Sequence, residues 1–535
     1  MKFRSRKAAI LLGLLGVPLV VGAFAVQERA APQGERLFSQ VLAIVNDKFV
    51  DSVDVGSLYE KAARGLVTEL KDPYADLYSP KQLEAFNQNT GGFYAGVGMS
   101  IEKQDDQIIV AKVFPHTPAD NAGIRIGDHI IAVDSQSTRG WKIDQVSSRL
   151  KGVPGTKVSA RFSRPGTNES FAVQFTRQVV HIPAVPYAMM IGDKTAYIPV
   201  TGFNETASEE VAQNLQRLTG EGAKSVVLDL RGNPGGFLEQ ALVMSNLFLP
   251  KGKEIVSVRG RGQPDETHVT QSDALVPTLP IVILTDGYTA SASEIVAGAL
   301  QDHDRALIIG TTSFGKGLVQ SMYRLDGGYA IKLTTAKWYT PSGRSIQKER
   351  KLLDDGSLVE THPDSLETDS ARRSRPKYKS DAGRIVYGGG AITPDVIVPY
   401  DTITTAEQKL ARALLLKQQD TYLALYDFSF EQSKKVKPDF AITPEMREEF
   451  YQRLVKRGVT VDKNVWDAGI RYIDRTLDAK ISSLAFGDST AKRRDIGEDR
   501  QLTKALEYLR KGPTTKALLA LATATPADRL RKPDR

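Results

Sequence analysis

Apolar residues recur at helical spacing from about residue 36 to 90, first as Leu37, Val41, Ile44 and Val45, then as Leu58, Ala62, Leu66 and Leu70. Steps of three and four place them on one face of a helix, so 36–90 is predicted as a helical region, interrupted at Asp72-Pro73. From residue 91 the pattern shortens to β-branched runs such as 107–113, punctuated by Pro115, Gly123 and Gly127, which predicts a small β-rich module over 91–180. Residues 181–400 alternate apolar strands (195–200, 225–229, 280–285 and 306–309) with helical stretches (208–218, 238–248 and 293–300), the signature of an α/β body. Within it, 348–387 is dense in both charges and poor in apolar residues, and is predicted as a solvated inserted loop. Over 402–535 the helical rhythm returns with Leu410, Ala413, Leu414 and Leu415, then Leu502, Ala505, Leu506 and Leu509, predicting a helical extension. The fold class that follows is multi-domain α+β.

Composition narrows the field. A length of 535 residues exceeds one core, and 41% hydrophobic with 25% charged residues excludes a wholly disordered, collagen-like or multi-span membrane chain. The net charge of +8 is a mild excess that gives no ground for a nucleic-acid partner. Cysteine is absent, which excludes disulfides, thiolate metal sites, a cysteine nucleophile and an acylated N-terminal Cys. Six scattered histidines form no H-E-x-x-H pattern, so no metal centre is expected. Lys2, Arg4, Arg6 and Lys7 precede an uncharged apolar run over 8–26, which reads as an export signal occupying 1–26. Ala23-Phe24-Ala25 suits cleavage, while the length of the run equally suits a retained membrane anchor. Either way the remainder is expected outside the cytoplasm, in the periplasm or cell envelope.

Three glycine- and serine-rich turns carry the candidate chemistry. The apolar strand 280–284 passes through Thr285-Asp286-Gly287 into Ser291-Ala292-Ser293-Glu294-Ile295, where a helix begins. A serine on such a strand-turn-helix is presented beside unpaired helix N–H groups that would favour an oxyanion. The same serines serve equally well as plain helix caps. In Ser313-Phe314-Gly315-Lys316-Gly317, a lysine fixed between glycines and bounded by Phe314 and Leu318 is expected in apolar surroundings, where its neutral amine can act as a base. The alternative is a surface turn lysine, and the loop lacks the Gly-x4-Gly-Lys-Ser/Thr spacing of a phosphate loop. His303, near the far end of the helix that Ser291 begins, is the competing base. The third turn, Asp229 through Gly236, offers the backbone N–H groups of Gly235 and Gly236 as oxyanion donors, or is simply a β-to-α turn.

These residues, taken in order, resemble the carboxyl-terminal processing (tail-specific) proteases. The resemblance runs through Asp72-Pro73-Tyr74, Gly96-Val97-Gly98-Met99, Ala122-Gly123-Ile124, Gly127-Asp128 and Leu230-Arg231-Gly232-Asn233-Pro234-Gly235-Gly236. It continues through Ser291-Ala292-Ser293-Glu294-Ile295, Phe314-Gly315-Lys316-Gly317, Thr340-Pro341-Ser342-Gly343-Arg344 and Ile392-Thr393-Pro394-Asp395. It implies a crotonase-like α/β protease body (181–400) with an embedded PDZ domain (91–180) between helical terminal segments. By the same resemblance Ser291 is the nucleophile, Lys316 the base and Gln320 its support, with oxyanion donors on Ala292 and on Gly235 or Gly236. Asp302 stands where some members carry an acidic residue. In the PDZ module, Ala95, Gly96, Val97 and Gly98 form a loop whose N–H groups can meet a terminal carboxylate. The strand from Met99 can then accept an extended peptide.

The implied activity is that of a cofactor-free serine endopeptidase acting on exported proteins with disordered C-terminal tails. The helical terminal regions are the expected oligomerisation surfaces and an adaptor protein a further expected partner. The rival readings are a catalytically silent peptide- or ligand-binding relative and an acyl-CoA enzyme of the crotonase type. Retention of both Ser291 and Lys316 argues against the first, and the export signal with a PDZ module against the second.

Overall fold

The computed structural model describes residues 33–104, 106–164, 170–262, 264–352, 358–360, 375–400 and 404–524. The export segment 1–26 lies outside them. Among the described residues no helix is long and apolar enough to cross a membrane. The chain divides into two compact units, 1–72 and 73–535.

In the first unit, helices Gln33–Lys48 and Val55–Thr68 follow one another. Asp54 caps the second by accepting the Gly56 and Ser57 N–H groups, each at 3.2 Å. No residue of the first helix is buried, and Leu37, Val41 and Ile44 remain exposed. The apolar face that the sequence pattern predicts is therefore left uncovered among the described residues.

The second unit contains the remaining domains. Strands Phe93–Gly96 and Gln178–His181 pair antiparallel and form a neck through which the chain enters and leaves the β-rich module. Inside it a sheet runs in the order Met99–Gln104, Gln107–Val113, His129–Val133, Lys157–Ser163 and Ser170–Thr176, so Met99–Gln104 is an edge strand. Helix Ile143–Leu150 buries Val146 and Leu150 against Val97, Met99, Ile130 and Phe162.

The α/β body is a six-stranded sheet: Met189–Ile191, Thr195–Pro199, Ser225–Asp229, Ile281–Thr285, Leu307–Gly310 and Val396–Ile397. After the first antiparallel pair, every neighbour is parallel. Its central strands are apolar at every position because both faces are covered. Val226, Leu228, Ile281 and Ile283 pack toward helices Ala207–Gly220, Leu238–Asn246 and Ala292–Asp302. Alternate residues Val227, Val282, Leu284 and Ile309 meet Leu502, Ala505, Leu509 and Leu518 from helices Arg500–Lys511 and Thr515–Ala524. The last two helices of the predicted extension thus belong to the protease body. The helices before them enclose a core of their own around Phe428, Phe450, Trp466 and Leu477.

A second sheet joins Asp76–Tyr78, Ala330–Tyr339, Glu254–Gly260 and Glu266–Val269, with Leu318–Arg324 also paired to Ala330–Tyr339. The described ends of 348–387 depart from the solvated loop expected there. Arg350–Leu352 pairs with Leu358–Glu360, and Lys377–Lys379 with Ile385–Tyr387. Arg384 reaches Asp304 at 2.5 Å and Asp395 at 2.6 Å, so a charge that read as solvated is matched by two carboxylates outside the segment.

Candidate active site

Strand Ile281–Thr285 ends beneath a tight turn, and Ser291 occupies the point at which helix Ala292–Asp302 begins. Its backbone sits at φ 56°, ψ −116°, a conformation that an L-residue holds only when its surroundings impose it. The surroundings are identifiable. The Asp286 carboxylate accepts N–H from Tyr288 and Thr289, each at 2.9 Å, and from Gly232 at 3.0 Å. Thr289 Oγ1 donates to the Leu230 carbonyl at 2.8 Å, and Ala290 N–H to that of Asn233 at 3.0 Å. The serine turn and the glycine-rich loop 230–236 are thereby bolted together.

Within that loop, Gly235 has φ +94°, and a Cβ placed there would stand 2.9 Å from both Ser291 Cβ and the Ala292 nitrogen. Only glycine permits this approach. The Gly235 N–H is committed to Asn233 Oδ1 at 2.9 Å, so of the two glycines offered as oxyanion donors it is the one already engaged. Gly236 is exposed beside it. Ser293 is fully buried and donates to the Asn233 carbonyl at 3.1 Å, which makes it a brace for the loop.

Glu294 connects the serine turn to the lysine loop. Its carboxylate is completely buried, and one oxygen accepts both Ser291 N–H (2.8 Å) and Lys316 N–H (2.9 Å), holding the two backbones within the span of two hydrogen bonds. The other oxygen accepts Gly315 N–H at 2.7 Å and the Ser313 hydroxyl at 2.5 Å. Burial pushes this carboxyl up from its ordinary range, and the four donors act against that rise.

Lys316 is half-buried, and the apolar surroundings expected for it are only part of what it meets. Its Nζ donates to Gln320 Oε1 at 3.0 Å and lies 4.7 Å from the centre of the Tyr74 ring. Gln320 reaches this position from strand Leu318–Arg324, and among the described residues its buried Nε2 meets no hydrogen-bond partner. Phe314 is instead stacked by Arg350, at 3.8 Å. The flanking glycines admit a neighbouring segment: a Cβ at Gly315 would be 2.6 Å from Lys348 Cγ, and one at Gly317 would be 2.9 Å from the Gln347 nitrogen.

His303 is placed elsewhere. It closes the opposite end of the Ser291 helix, with Nδ1 2.9 Å from Asp381 and Nε2 2.7 Å from the Glu254 carbonyl. Asp302 pairs with fully buried Arg344 at 2.6 Å and accepts Ser342 N–H at 3.0 Å, bracing the turn at 340–344.

In the PDZ module Ala95 and Gly96 lie in the neck strand, Val97 and Gly98 form the turn, and Met99 opens the edge strand. Gly98 has φ +90°, and any Cβ there would collide with Thr117 at 2.1 Å. Sequence reasoning left Tyr74, Asn233 and Asp286 without roles. Each was visible only as a letter within a motif, because the contact that ties it to the site comes from far away in the chain: Lys316 for Tyr74, Ala290 and Ser293 for Asn233, and Gly232 for Asp286.

The sequence profile of Peptidase family S41 matches residues 194–355, and that of the PDZ domain matches 91–159. The chain is 32% identical over 345 residues to "Carboxy-terminal processing protease CtpA" of Bacillus subtilis (strain 168), covering 64% of this chain and 72% of that protein. It is 35% identical over 308 residues to "Probable CtpA-like serine protease" of Staphylococcus aureus (strain COL), covering 57% and 61%. Among solved structures it is similar to the photosystem II D1 C-terminal processing protease, at 27% identity over 62% of this chain and 92% of that one, with a TM-score of 0.33.

Proposed function

The chain belongs to the carboxy-terminal processing proteases, serine peptidases that carry a PDZ domain, and on that premise we propose that Ser291 is its nucleophile and Lys316 its general base. The observation that carries the assignment is the single Glu294 oxygen accepting the amides of both residues. It makes the strained serine turn and the lysine loop one assembly, with His303 outside it.

In this reading the neutral Lys316 amine takes the proton of Ser291 Oγ as that oxygen attacks the scissile carbonyl carbon. Negative charge collects on the carbonyl oxygen, against the N–H groups of Ala292 and Gly236. As the C–N bond breaks, Lys316 returns the proton to the departing amine, leaving an ester on Ser291. Water then attacks the ester, passing its proton to Lys316, and Ser291 recovers it when the ester bond breaks. Gln320 holds Nζ in place through its carbonyl oxygen. Substrates are taken by their C-terminal tails at the loop before Met99 and laid against the open edge of strand Met99–Gln104. The leader at 1–26 supports placing the enzyme outside the cytoplasm, released or anchored. Association through the helical terminal regions and an adaptor protein remain part of this proposal.

Digestion of a tailed reporter tests the assignment. Ser291→Ala and Lys316→Arg should be inactive, since arginine keeps the charge but supplies no neutral base. Ser293→Ala and His303→Ala should still cut. Cutting by Ser291→Ala or Lys316→Arg, or its loss in His303→Ala, overturns the dyad.

A further inference from the structure

When Lys316 takes the Ser291 proton, a neutral amine becomes an ammonium, and a group that faces Nζ assists catalysis to the extent that it favours that charge as it forms. Two neutral groups face it. Gln320 Oε1 accepts from Nζ at 3.0 Å, and Nζ lies over the Tyr74 ring, 4.7 Å from its centre. This is inside the roughly 6 Å over which an aromatic face attracts a cation. Charged side chains near the lysine loop are engaged with backbone. Glu294 accepts the Gly315 and Lys316 amides, and the Arg350 guanidinium donates to the Phe314 and Gly315 carbonyls. Lys348 approaches Gly315 with its aliphatic stem.

Tyr74 reaches the lysine from a distant part of the chain. Pro73 restricts the backbone before it. Two residues beyond it, strand Asp76–Tyr78 pairs antiparallel with Ala330–Tyr339, setting Asp76 opposite Lys332 and Tyr78 opposite Ala330. Leu77 is buried there, and Lys332 Nζ donates to Tyr78 Oη at 2.8 Å. Met322 also pairs with Lys332, so strand Leu318–Arg324 must lie along the other edge, and it places Gln320 opposite Thr334. Tyr74 and Gln320 are therefore brought in from the two sides of one central strand and converge on one nitrogen.

In a protease with a histidine base, a carboxylate stabilises the imidazolium. A carboxylate at Nζ would instead hold the lysine as an ammonium and withhold the base. A ring face and an amide oxygen attract an ammonium more weakly than a carboxylate does, so they favour the charge formed during proton transfer without fixing it beforehand. We propose that the Tyr74 ring meets the positive charge that develops on Lys316 as Ser291 is deprotonated, with the amine held between that ring and Gln320. This role rests on Lys316 being the base.

Digestion of a tailed peptide is followed on the alkaline plateau of the rate, where the amine is neutral and a change in kcat is not masked by a change in the fraction of free base. Tyr74→Leu keeps apolar bulk without a ring face. Its kcat should fall about three- to thirty-fold, the range that cation–ring contacts span between exposed and desolvated sites, with KM unchanged. Tyr74→Phe restores the ring and should recover most of that loss. Phenylalanines of increasing fluorination, introduced in place of Tyr74, keep the shape while draining negative charge from the ring face. Their kcat should fall step by step, an arm that stands even where the leucine variant does not fold. A flat fluorination series, or Tyr74→Leu turning over as fast as Tyr74→Phe, reduces the ring to packing and overturns the proposal. Tyr74→Phe as slow as Tyr74→Leu assigns the effect to the hydroxyl and overturns it as well. Lys316→Ala separates this role from the dyad. If Lys316→Ala still cuts, the base is misassigned and the proposal goes with it, whereas a fast Tyr74→Leu beside an inactive Lys316→Ala sinks the role of the ring alone.

Discussion

At the scale of single residues, Glu294 shows how the surroundings of a group decide its chemistry. A carboxylate can only accept, and here every partner donates: three backbone amides and the Ser313 hydroxyl. Glu294→Gln keeps the shape but turns an NH2 group toward N–H or O–H donors. With the side chain fully buried, one or two of those donors lose their acceptor, a cost of about 1–3 kcal/mol for each. The serine turn and the lysine loop lose the carboxylate that joins them. Glu294→Gln should therefore lower the thermal midpoint and reduce kcat at least ten-fold, while peptide affinity at the PDZ loop is unchanged. A variant that matches the wild type in both melting and turnover would show that Glu294 merely begins a helix.

At the scale of elements, the glycine-rich loop allows a comparison within one turn. Gly232 and Gly235 both have positive φ, but a Cβ on Gly232 meets nothing within 4 Å, whereas one on Gly235 lies 2.7 Å from the Ala290 carbonyl. Gly232→Ala should bear only the left-handed penalty, about 1–2 kcal/mol in an unfolding titration, and keep its proteolytic rate. Gly235→Ala should displace Ser291 or its own loop and lose activity beyond what its stability explains. Equal activity in the two variants would detach Gly235 from the site. Elements like these were legible in the sequence because their signals are local: strand Ile281–Thr285, the helix after Ser291 and the strand Ser225–Asp229 lie within a residue or two of the predicted bounds. The hairpins in 348–387 were not, since the carboxylates that meet Arg384 come from Asp304 and Asp395.

At the scale of the molecule, the C-terminal helices are where a sequence pattern reports an apolar face without naming its partner. Leu502, Ala505 and Leu509 were read as the stripe of a separate extension, yet they cover the second face of the protease sheet. The junction is fixed by Asp499. It accepts the Leu502 N–H at the start of helix Arg500–Lys511, takes Arg231 in a forked pair at 3.0 and 2.8 Å, and meets Lys492 at 2.6 Å. Arg231 stands next to Gly232, so the extension reaches the base of the loop that faces Ser291. Burial alone would raise the Asp499 carboxyl, but the hydrogen bonds and charge of Arg231, with Lys492, outweigh it and hold the group well below its ordinary value. A depressed folded-state pKa means that the stabilisation is fully present above the ordinary carboxylate value of about 3.9 and is lost as pH falls below it. Asp499→Asn keeps a capping oxygen but removes the charge, and should cost about 3 kcal/mol at neutral pH by leaving Arg231 without one of its two carboxylates. Urea unfolding of both proteins at pH 7, 5 and 3 should give a gap that is constant between the first two and narrows at the third. A gap that stays the same at pH 3 would mean that shape at the junction, rather than charge, ties the extension to the protease body.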